Sequence, residues 1–329
     1  MEKRLIEQSQ AIDSIVPYIT AYGAELHNPT RPLGVFFLLG PTGVGKTVTV
    51  EKLAEILHGD KSKMVRLDCA QFELSHDVAK MTGSPPGYLG HKDTVPLLTR
   101  KKLKDVTSET CDISIVLFDE IEKAHATFYR TLLSVLDKGE LTNGDNEVVD
   151  FKKSLVFFTS NLGAAEMRDT LEHRMGFSAG QKVDIKDILP KLESIGKQAA
   201  KKRFTPEFYN RIDEVITYKP LSETAIARIY EMEIGQIRAR LFSKTDPKHL
   251  FLVVSEEVSK YLIQKGFSDI HGARELNRVI HRCLTQPLSD VIVDTVIADK
   301  SILRAELEDG KVVFQILGKD ELKKMGLST

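Results

Sequence analysis

The sequence predicts an α/β protein, with a large domain built around a parallel sheet and a smaller α/β domain at the carboxyl end. Two observations lead to this fold class. Over the first two thirds of the chain, short apolar segments of strand length alternate with segments of helical periodicity, the pattern of a parallel sheet covered by helices on both faces. Near residue 219 this alternation stops, and the remaining segments end in two short strands joined by a tight turn.

Five segments of the large domain have the length and the β-branched or aromatic content of buried strands. They are GVFFLL (34–39), MVRLD (64–68), SIVLFD (114–119), SLVFFTS (154–160) and EVITY (214–218). Between the first two segments, apolar residues fall at the helical spacing of Val50, Leu53, Ala54 and Leu57. We therefore expect these strands to form the sheet and the helices between them to cover it.

The domain boundary is predicted from the stretch YKPLSE (218–223), where a proline precedes the cap of a helix. We assign residues 1–218 to the large domain and residues 219–329 to the small domain. The small domain should begin with a helix over 222–242 and continue with a strand, two helical stretches and a hairpin, whose turn is marked by the Asp-Gly of EDGK. Its strands are predicted at LFLVV (250–254), ILRAEL (302–307) and KVVFQIL (311–317).

Composition narrows the classes of function. The 329 residues carry a formal net charge of -1, so the chain as a whole lacks the basic charge by which proteins bind nucleic acid. Cys69, Cys111 and Cys283 are widely spaced, as expected in a reducing compartment rather than in a disulfide or zinc framework. Since MEKRLIEQSQ lacks the apolar core of a signal peptide and no apolar run reaches the length of a membrane span, we expect a cytoplasmic protein with neither nucleic-acid nor membrane partners.

A phosphate-binding loop directly follows the first predicted strand. GPTGVGKT satisfies the pattern G-x-x-x-x-G-K-[ST] between a strand and a helix, which is the context that this motif requires. Its glycines allow backbone N–H groups to turn towards a phosphate, and the helix N-terminus adds its dipole. Lys46 would reach the β- and γ-phosphates, and the hydroxyl of Thr47 would ligate Mg²⁺. The candidate nucleotide-binding residues are Gly40, Pro41, Thr42, Gly43, Val44, Gly45, Lys46 and Thr47.

Two carboxylates end the third predicted strand, SIVLFDE (114–120). Ligands of a parallel sheet bind at the carboxyl ends of its strands, so Asp119 and Glu120 should face the same crevice as Lys46. Asp119 would then hold Mg²⁺, and Glu120 would accept a proton from the water that attacks the γ-phosphate. Two acids at a strand end often begin an ordinary polar loop, but their combination with the phosphate loop predicts a nucleoside triphosphatase.

Five motifs occur together in one order. They are GPTGVGKT (40–47), FDEIEKAH (118–125), TSNLGA (159–164), FTPEFYNRIDEV (204–215) and HGARELNRVI (271–280). With these motifs, from about Leu5 to the last strand, the chain resembles the second AAA+ module of the Clp family of ATP-dependent protein unfoldases and disaggregases. The resemblance implies the AAA+ fold, ATP and Mg²⁺ as ligands, and a homohexamer that threads unfolded or aggregated polypeptide through a central pore.

The resemblance also implies roles for single residues. Asn161 matches a sensor that positions the attacking water, and Arg211 matches the arginine finger that reaches the γ-phosphate in a neighbouring subunit. Arg274 matches a second sensor, which touches nucleotide from the small domain, while Leu5 and Ile6 match the segment that packs on the adenine. Without the resemblance, either arginine would be interpreted as part of an ordinary surface ion pair.

The stretch GSPPGYLG (83–90) places a single tyrosine among glycines and prolines, which indicates a loop rather than a helix or a strand. It matches the pore loop of the family, in which a ring of tyrosines grips extended polypeptide. The alternative is a tyrosine that caps a surface turn. The implied substrate-contacting residues are Gly87, Tyr88, Leu89 and Gly90.

The chain departs from the pattern of the family after the pore loop, where it reads HKDTVP (91–96) instead of acidic residues and a glycine pair, and at two single positions. Glu7 replaces a customary glycine in the segment on the adenine side, and Thr205 replaces the arginine of the family's FRPEF motif. The arginine belongs to subunit-interface contacts in the family, so the resemblance does not carry those contacts over to Thr205.

Met175, Gly176 and Phe177 resemble the tripeptide by which peptidase-coupled members of the family dock onto a peptidase ring. In those members an aliphatic residue precedes Gly-Phe or Gly-Leu on a loop. A phenylalanine at a loop tip would fill a hydrophobic pocket of the peptidase. The alternative is a ring that packs against its own domain.

Several functions therefore stay open on the sequence alone. The leading expectation is an unfoldase or disaggregase that threads polypeptide, either by itself or coupled to a peptidase. An ATP-dependent switch or scaffold without translocation is an alternative, but it would need no gripping aromatic such as Tyr88. A DNA-associated AAA+ motor is a further alternative, which the net charge near zero disfavours.

Overall fold

The computed structural model describes residues 6–83, 96–177, 185–242, 249–268, 272–299 and 301–317, with side chains for all of these except 171–177 and 185–187. The chain divides into two compact units, Met1–Pro220 and Leu221–Thr329. The sequence placed the boundary two residues earlier, after residue 218. Among the described residues, no helix combines the length and the apolar character needed to cross a membrane.

The first unit contains a five-stranded sheet and a separate two-stranded hairpin. Its strands are β1 (Gly34–Leu39), β2 (Val65–Asp68), β3 (Ser114–Asp119), β4 (Glu140–Thr142), β5 (Val148–Asp150), β6 (Ser154–Ser160) and β7 (Glu214–Thr217). The large sheet has the order β2-β3-β6-β1-β7, and all of its neighbouring strands are parallel. Strands β4 and β5 form the antiparallel hairpin. The predicted parallel sheet is confirmed, and the hairpin is an addition to it.

Helices cover both faces of this sheet. They are α1 (Ser9–Gly23), α2 (Lys46–His58), α3 (Val78–Thr82), α4 (Arg100–Asp105), α5 (Ala126–Lys138), α6 (Ala164–Phe177), α7 (Ile185–Arg203) and α8 (Pro206–Tyr209). Successive residues of a strand point to opposite faces. Accordingly, Phe37 and Phe158 belong to one buried cluster, whereas Phe36 and Phe157 belong to another, in which their rings stack at 5.0 Å. Because the central strands β1, β3 and β6 are buried on both faces, they are rich in apolar residues, which is why their limits could be predicted so closely.

The register of the strands brings three chain segments to one edge of the sheet. Leu39 at the end of β1 pairs with Ser160 at the end of β6, and Phe118 of β3 pairs with Phe158 of β6. Since the strands are parallel, the residues that follow β1, β3 and β6 all leave the sheet on the same side. This edge carries the phosphate loop, the two carboxylates and the TSN motif.

The second unit is a small three-stranded sheet with helices. Its elements are α9 (Glu223–Phe242), β8 (Phe251–Val254), α10 (Glu256–Gly266), α11 (Ala273–Ile280), a π-helical segment (His281–Thr285), α12 (Gln286–Asp294), β9 (Ile302–Glu308) and β10 (Lys311–Leu317). Strand β9 lies between β8, which is parallel to it, and β10, which is antiparallel. The hairpin turn places Asp309 and Gly310 at φ angles of 48° and 72°, as the Asp-Gly pair predicts.

Candidate functional site

The phosphate loop joins β1 to α2 and has a backbone that depends on glycine. Gly40, Gly43 and Gly45 have φ angles of 146°, 78° and 104°, which residues with a side chain rarely adopt. At Gly40, a Cβ atom would also lie 2.8 Å from the carbonyl oxygen of Tyr218. The hydroxyl of Tyr218, a fully buried residue, donates to Thr49 Oγ1 of α2 at 2.7 Å. Tyr218 therefore packs against the start of the loop and leaves no room for a side chain at Gly40.

The amino end of α2 can receive an anion. The first N–H groups of a helix have no acceptor within the helix, and among the described residues no side chain caps those of α2. Together with the helix dipole, the N–H groups at this end of the helix favour a negatively charged group. The loop shape and the helix end thus fit the phosphates of a nucleotide.

Lys46 is only 8% exposed and lies directly over the loop. Its Nζ donates to the carbonyl oxygens of Gly40 and Pro41, both at 2.7 Å, and to Asn161 Oδ1 at 2.9 Å. Asn161 Oδ1 also accepts from Thr42 Oγ1 at 3.3 Å. The structure thus brings Lys46 and Asn161 together, although 115 positions separate them in the chain.

Asp119 is 9% exposed and is surrounded by donors. Its Oδ1 accepts from Thr47 Oγ1 at 3.3 Å and from the hydroxyl of Thr159, and its Oδ2 accepts from Arg66 Nη2 at 2.5 Å. The hydroxyl of Thr47 and the carboxylate of Asp119 are hard oxygen donors of the kind that Mg²⁺ takes. No group of three or more acidic, histidine or cysteine side chains that could hold a metal occurs among the described residues. Proteins usually bind Mg²⁺ through one or two carboxylates together with substrate phosphates.

Glu120 has an unusual backbone conformation. Its φ angle of 56° lies in the left-handed region, where residues other than glycine are uncommon and which functional sites often contain. Its N–H donates to Thr159 Oγ1 at 3.0 Å, so that Thr159 contacts both acids. The Glu120 carboxylate forms an ion pair with Lys123, and this hydrogen bond raises the pKa of Lys123 above its usual range.

The sequence reasoning missed Thr159 and Arg66. Thr159 is a buried polar residue near the carboxyl end of β6, where the strand reaches the functional edge of the sheet. Arg66 is the second residue of β2, the neighbour of β3, and its strand position pairs with Leu117. A polar side chain near the carboxyl end of a strand is a signal that could have identified Thr159, but it does not apply to Arg66.

Arg211 lies at the surface of the first unit, and Arg274 belongs to the second unit. Arg211 follows α8, its side chain is 45% exposed, and it forms an ion pair with Asp137 of α5. Arg274 is an exposed residue in the first turn of α11 in the second unit.

The amino-terminal segment reaches the phosphate loop through Gln8. The buried amide Nε2 of Gln8 donates to the carbonyl oxygens of Val44 and Lys219, each at 3.3 Å. Glu7, where the family customarily has glycine, has a φ angle of 58°, which explains the preference for glycine at this position. Ile6 is half-buried, whereas Leu5 lies outside the described residues.

The expected contacts of the pore loop with substrate and of the tripeptide Met175-Gly176-Phe177 with a peptidase stay predictions. The pore-loop residues Gly87–Gly90 lie outside the described residues. Met175, Gly176 and Phe177 were expected on a loop, but their backbone forms the last residues of α6. The expectation of a loop is therefore wrong for these three residues. Thr205, the second single position that departs from the family, caps α8 by accepting from the N–H of Phe208 at 3.5 Å.

Known proteins resemble the chain over both units. The family model described as AAA domain (Cdc48 subfamily) matches residues 31–215. The model described as the C-terminal, D2-small domain of ClpB protein matches residues 221–305. The two matched ranges fall on the two compact units that the structure describes.

Individual relatives give the same picture. The chain is 35% identical to chaperone protein ClpB of Pseudomonas putida over 314 residues, which are 95% of this chain and 34% of that protein. It is 34% identical to the ATP-dependent Clp protease ATP-binding subunit ClpC of Staphylococcus epidermidis over 294 residues, 89% of this chain and 34% of that protein. A closed-state cryo-EM reconstruction of Hsp104 with ATPγS and FITC casein has a TM-score of 0.77 and 30% identity, and the match covers 95% of this chain and 50% of that one. The chain thus spans about a third of the length of the ClpB and ClpC relatives.

Proposed function

The chain belongs to the AAA domain (Cdc48 subfamily) family, with ClpB and ClpC among its relatives, and from this premise we propose that it hydrolyses ATP to unfold or disaggregate proteins. The observation that carries the proposal is the meeting of Lys46, Thr47, Asp119 and Asn161 at one edge of the sheet. Their hydrogen bonds join the loop after β1 to the ends of β3 and β6. This arrangement provides, in one place, the parts that phosphoryl transfer requires.

The residues of this edge divide the work of hydrolysis among them. The loop N–H groups and Lys46 bind the phosphates, Lys46 exchanging its contacts with loop carbonyl oxygens for contacts with phosphate oxygens. Asn161 orients the attacking water, and Glu120 accepts its proton once the carboxylate is released from Lys123. Thr47 and Asp119 would hold Mg²⁺, whose chemistry in the site is to neutralise charge that develops on the phosphates.

The working unit that we propose is a homohexamer in the cytoplasm. The exposure of Arg211, which pairs with Asp137 at the surface of its own subunit, supports a role in the site of a neighbouring subunit. The Hsp104 reconstruction was obtained with casein, and this supports a polypeptide as the substrate. We therefore propose that unfolded or aggregated polypeptide passes through the centre of the ring, gripped by Tyr88 of each subunit.

Tyr88→Ala is expected to keep ATP hydrolysis within about twofold of the wild type and to lose ATP-dependent unfolding of a tagged reporter protein. The reason is that an aromatic ring makes large contact area with any polypeptide, whereas alanine gives almost none. The measurement is reporter fluorescence and phosphate release in the same reaction. Tyr88→Phe, which keeps the ring, serves as the matched control and should unfold the reporter.

Equal unfolding by the wild type and Tyr88→Ala would remove the pore-loop role. If the wild type hydrolyses ATP but unfolds no substrate, the chain is better described as an ATP-dependent switch or scaffold. If it binds DNA in a salt-sensitive manner, the DNA motor becomes the better description.

Coupling to a peptidase ring is a second candidate, favoured by the similarity to ClpC, which is named as a subunit of a Clp protease. If Phe177 anchors the peptidase, Phe177→Ala should lower reporter degradation in the presence of the peptidase by about tenfold, because several weak anchors in one ring act together. Unfolding without the peptidase should not change. Phe242→Ala, which truncates an exposed phenylalanine in the second unit, is the matched control. Equal degradation by all three proteins would remove Phe177 as the anchor, and no degradation by the wild type would favour disaggregation without proteolysis.

A further inference from the structure

The residues that follow Glu120 are held by side chains from outside the strand. We call residues 120–125 the Glu120 loop. The hydroxyl of Tyr129, on α5, donates to the carbonyl oxygens of Ile121 at 3.0 Å and of Ala124 at 2.6 Å. The carbonyl oxygen between them, that of Glu122, accepts from Arg203 Nη2 at 2.6 Å and Nε at 3.2 Å. Three carbonyl groups of this short loop are thus fixed by two side chains.

Arg203 and Tyr129 act as one unit. Arg203 is the last residue of α7, and its guanidinium lies 5.8 Å from the centre of the Tyr129 ring, within the range of a cation–π interaction. Its Nη2 also reaches the carbonyl oxygen of Ala124 at 3.5 Å, so that both side chains share an acceptor. Burial raises the pKa of Tyr129 to about 12, although the charge of Arg203 opposes this effect. Because the pKa is raised, the hydroxyl stays protonated and can donate a hydrogen bond.

The Glu120 loop in turn positions two groups of the catalytic edge. Glu122 Oε1 accepts from the backbone N–H of Asn161 at 3.1 Å, and the Asn161 side chain accepts from Lys46. At its other end, the loop begins with Glu120, whose left-handed backbone persists only where the surroundings hold it. A loop that moved would therefore displace both Glu120 and Asn161.

We propose that Arg203 is a positioning residue for ATP hydrolysis, which sets the placement of Glu120 and Asn161 by holding the carbonyl oxygen of Glu122. This inference rests on the proposed function and deepens it. Arg203 touches neither the phosphate loop nor Asp119 through any described hydrogen bond, so it should govern the rate of the chemical step and leave nucleotide binding alone. It stands two positions before Thr205 and directly before the motif in which the family's arginine is absent.

Arg203→Ala is expected to lower kcat roughly tenfold or more, because small displacements of catalytic groups have large effects on rate. The dissociation constant for ATP should stay within about twofold of the wild type, and this split separates positioning from general damage. Arg203→Lys keeps the charge but not the planar fork, so it should recover only part of kcat. Lys202→Ala, which removes the same charge from the preceding exposed residue, is the matched control and should behave as the wild type.

Tyr129→Phe provides a second route that keeps the ring and removes only the hydroxyl. It should also lower kcat, and its effect should be less than additive with that of Arg203→Ala, because both side chains hold the same loop. Amide hydrogen exchange of the peptide that contains residues 118–126 should be faster in Arg203→Ala than in Lys202→Ala. This difference should be seen whether or not the protein hydrolyses ATP.

The outcomes separate the inference from the proposed function. Equal kcat and equal exchange for Arg203→Ala and Lys202→Ala overturn the inference, while the ATPase activity of the wild type stands. A parallel fall of kcat and ATP affinity in Arg203→Ala overturns it as well, since the residue then supports the whole fold. A wild type that binds ATP without turnover contradicts the proposed function, and in that case exchange still decides whether Arg203 holds the loop.

Discussion

Glu120→Gln is expected to bind ATP with wild-type affinity and to hydrolyse it at least about a hundredfold more slowly, because a positioned general base contributes this much or more to a rate. Glutamine has nearly the same shape and can still accept a hydrogen bond from Lys123, so the loop should keep its conformation. The amide cannot take the proton of the attacking water. The measurement is steady-state phosphate release together with the affinity for a fluorescent ATP analogue.

The control for this change is Glu109→Gln, an identical substitution at an exposed position of the same unit. It should leave both hydrolysis and binding unchanged. Turnover of Glu120→Gln at the rate of Glu109→Gln would show that Glu120 is not the base. Loss of ATP affinity in Glu120→Gln would instead place the residue in binding.

Arg211→Ala is expected to reduce hydrolysis roughly a thousandfold while nucleotide binding is largely retained, the effect of removing an arginine finger. Within its own chain Arg211 pairs with Asp137 on the surface, so its removal should cost little stability. Arg240→Ala, at an exposed arginine of the second unit, is the control. The measurement is phosphate release by each variant alone, with nucleotide affinity measured in parallel.

Mixing two inactive variants tests whether Arg211 acts between subunits. Lys46→Ala lacks a working phosphate site but keeps Arg211, whereas Arg211→Ala keeps the phosphate site. In a mixed ring, some interfaces combine the intact Lys46 of one subunit with the intact Arg211 of the next, so part of the activity should return. If no ratio of the two variants hydrolyses ATP, Arg211 does not work in a neighbour's site.

Much of the fold could be predicted because the central strands are buried on both faces. Strands Gly34–Leu39 and Ser154–Ser160 are buried from end to end, and their limits in the structure agree with those read from the sequence. The β4–β5 hairpin escaped prediction because strands of three residues are too short to show a periodic pattern. Strand order also could not be read, since pairing depends on contacts between distant segments.

The site was predictable to the extent that its residues are close together in the sequence. The phosphate loop and the pair Asp119-Glu120 follow strands directly, so both motif and position identified them. The supporting residues were not predictable in this way. Arg203 reaches Glu122 across 81 positions, and Arg66 reaches Asp119 across 53, so only the folded chain shows which loop each of them holds.

The left-handed backbone at Glu120 has a consequence for the thermal stability of the protein. For a residue with a side chain, this conformation costs ~1–2 kcal/mol of free energy relative to the right-handed helical one, whereas for glycine the cost is close to zero. Selection for a robust fold alone would therefore favour glycine at this position, as it does in many tight turns. The glutamate thus stands at a thermodynamic disadvantage, which the role in hydrolysis that we propose would explain, because activity and stability often oppose each other.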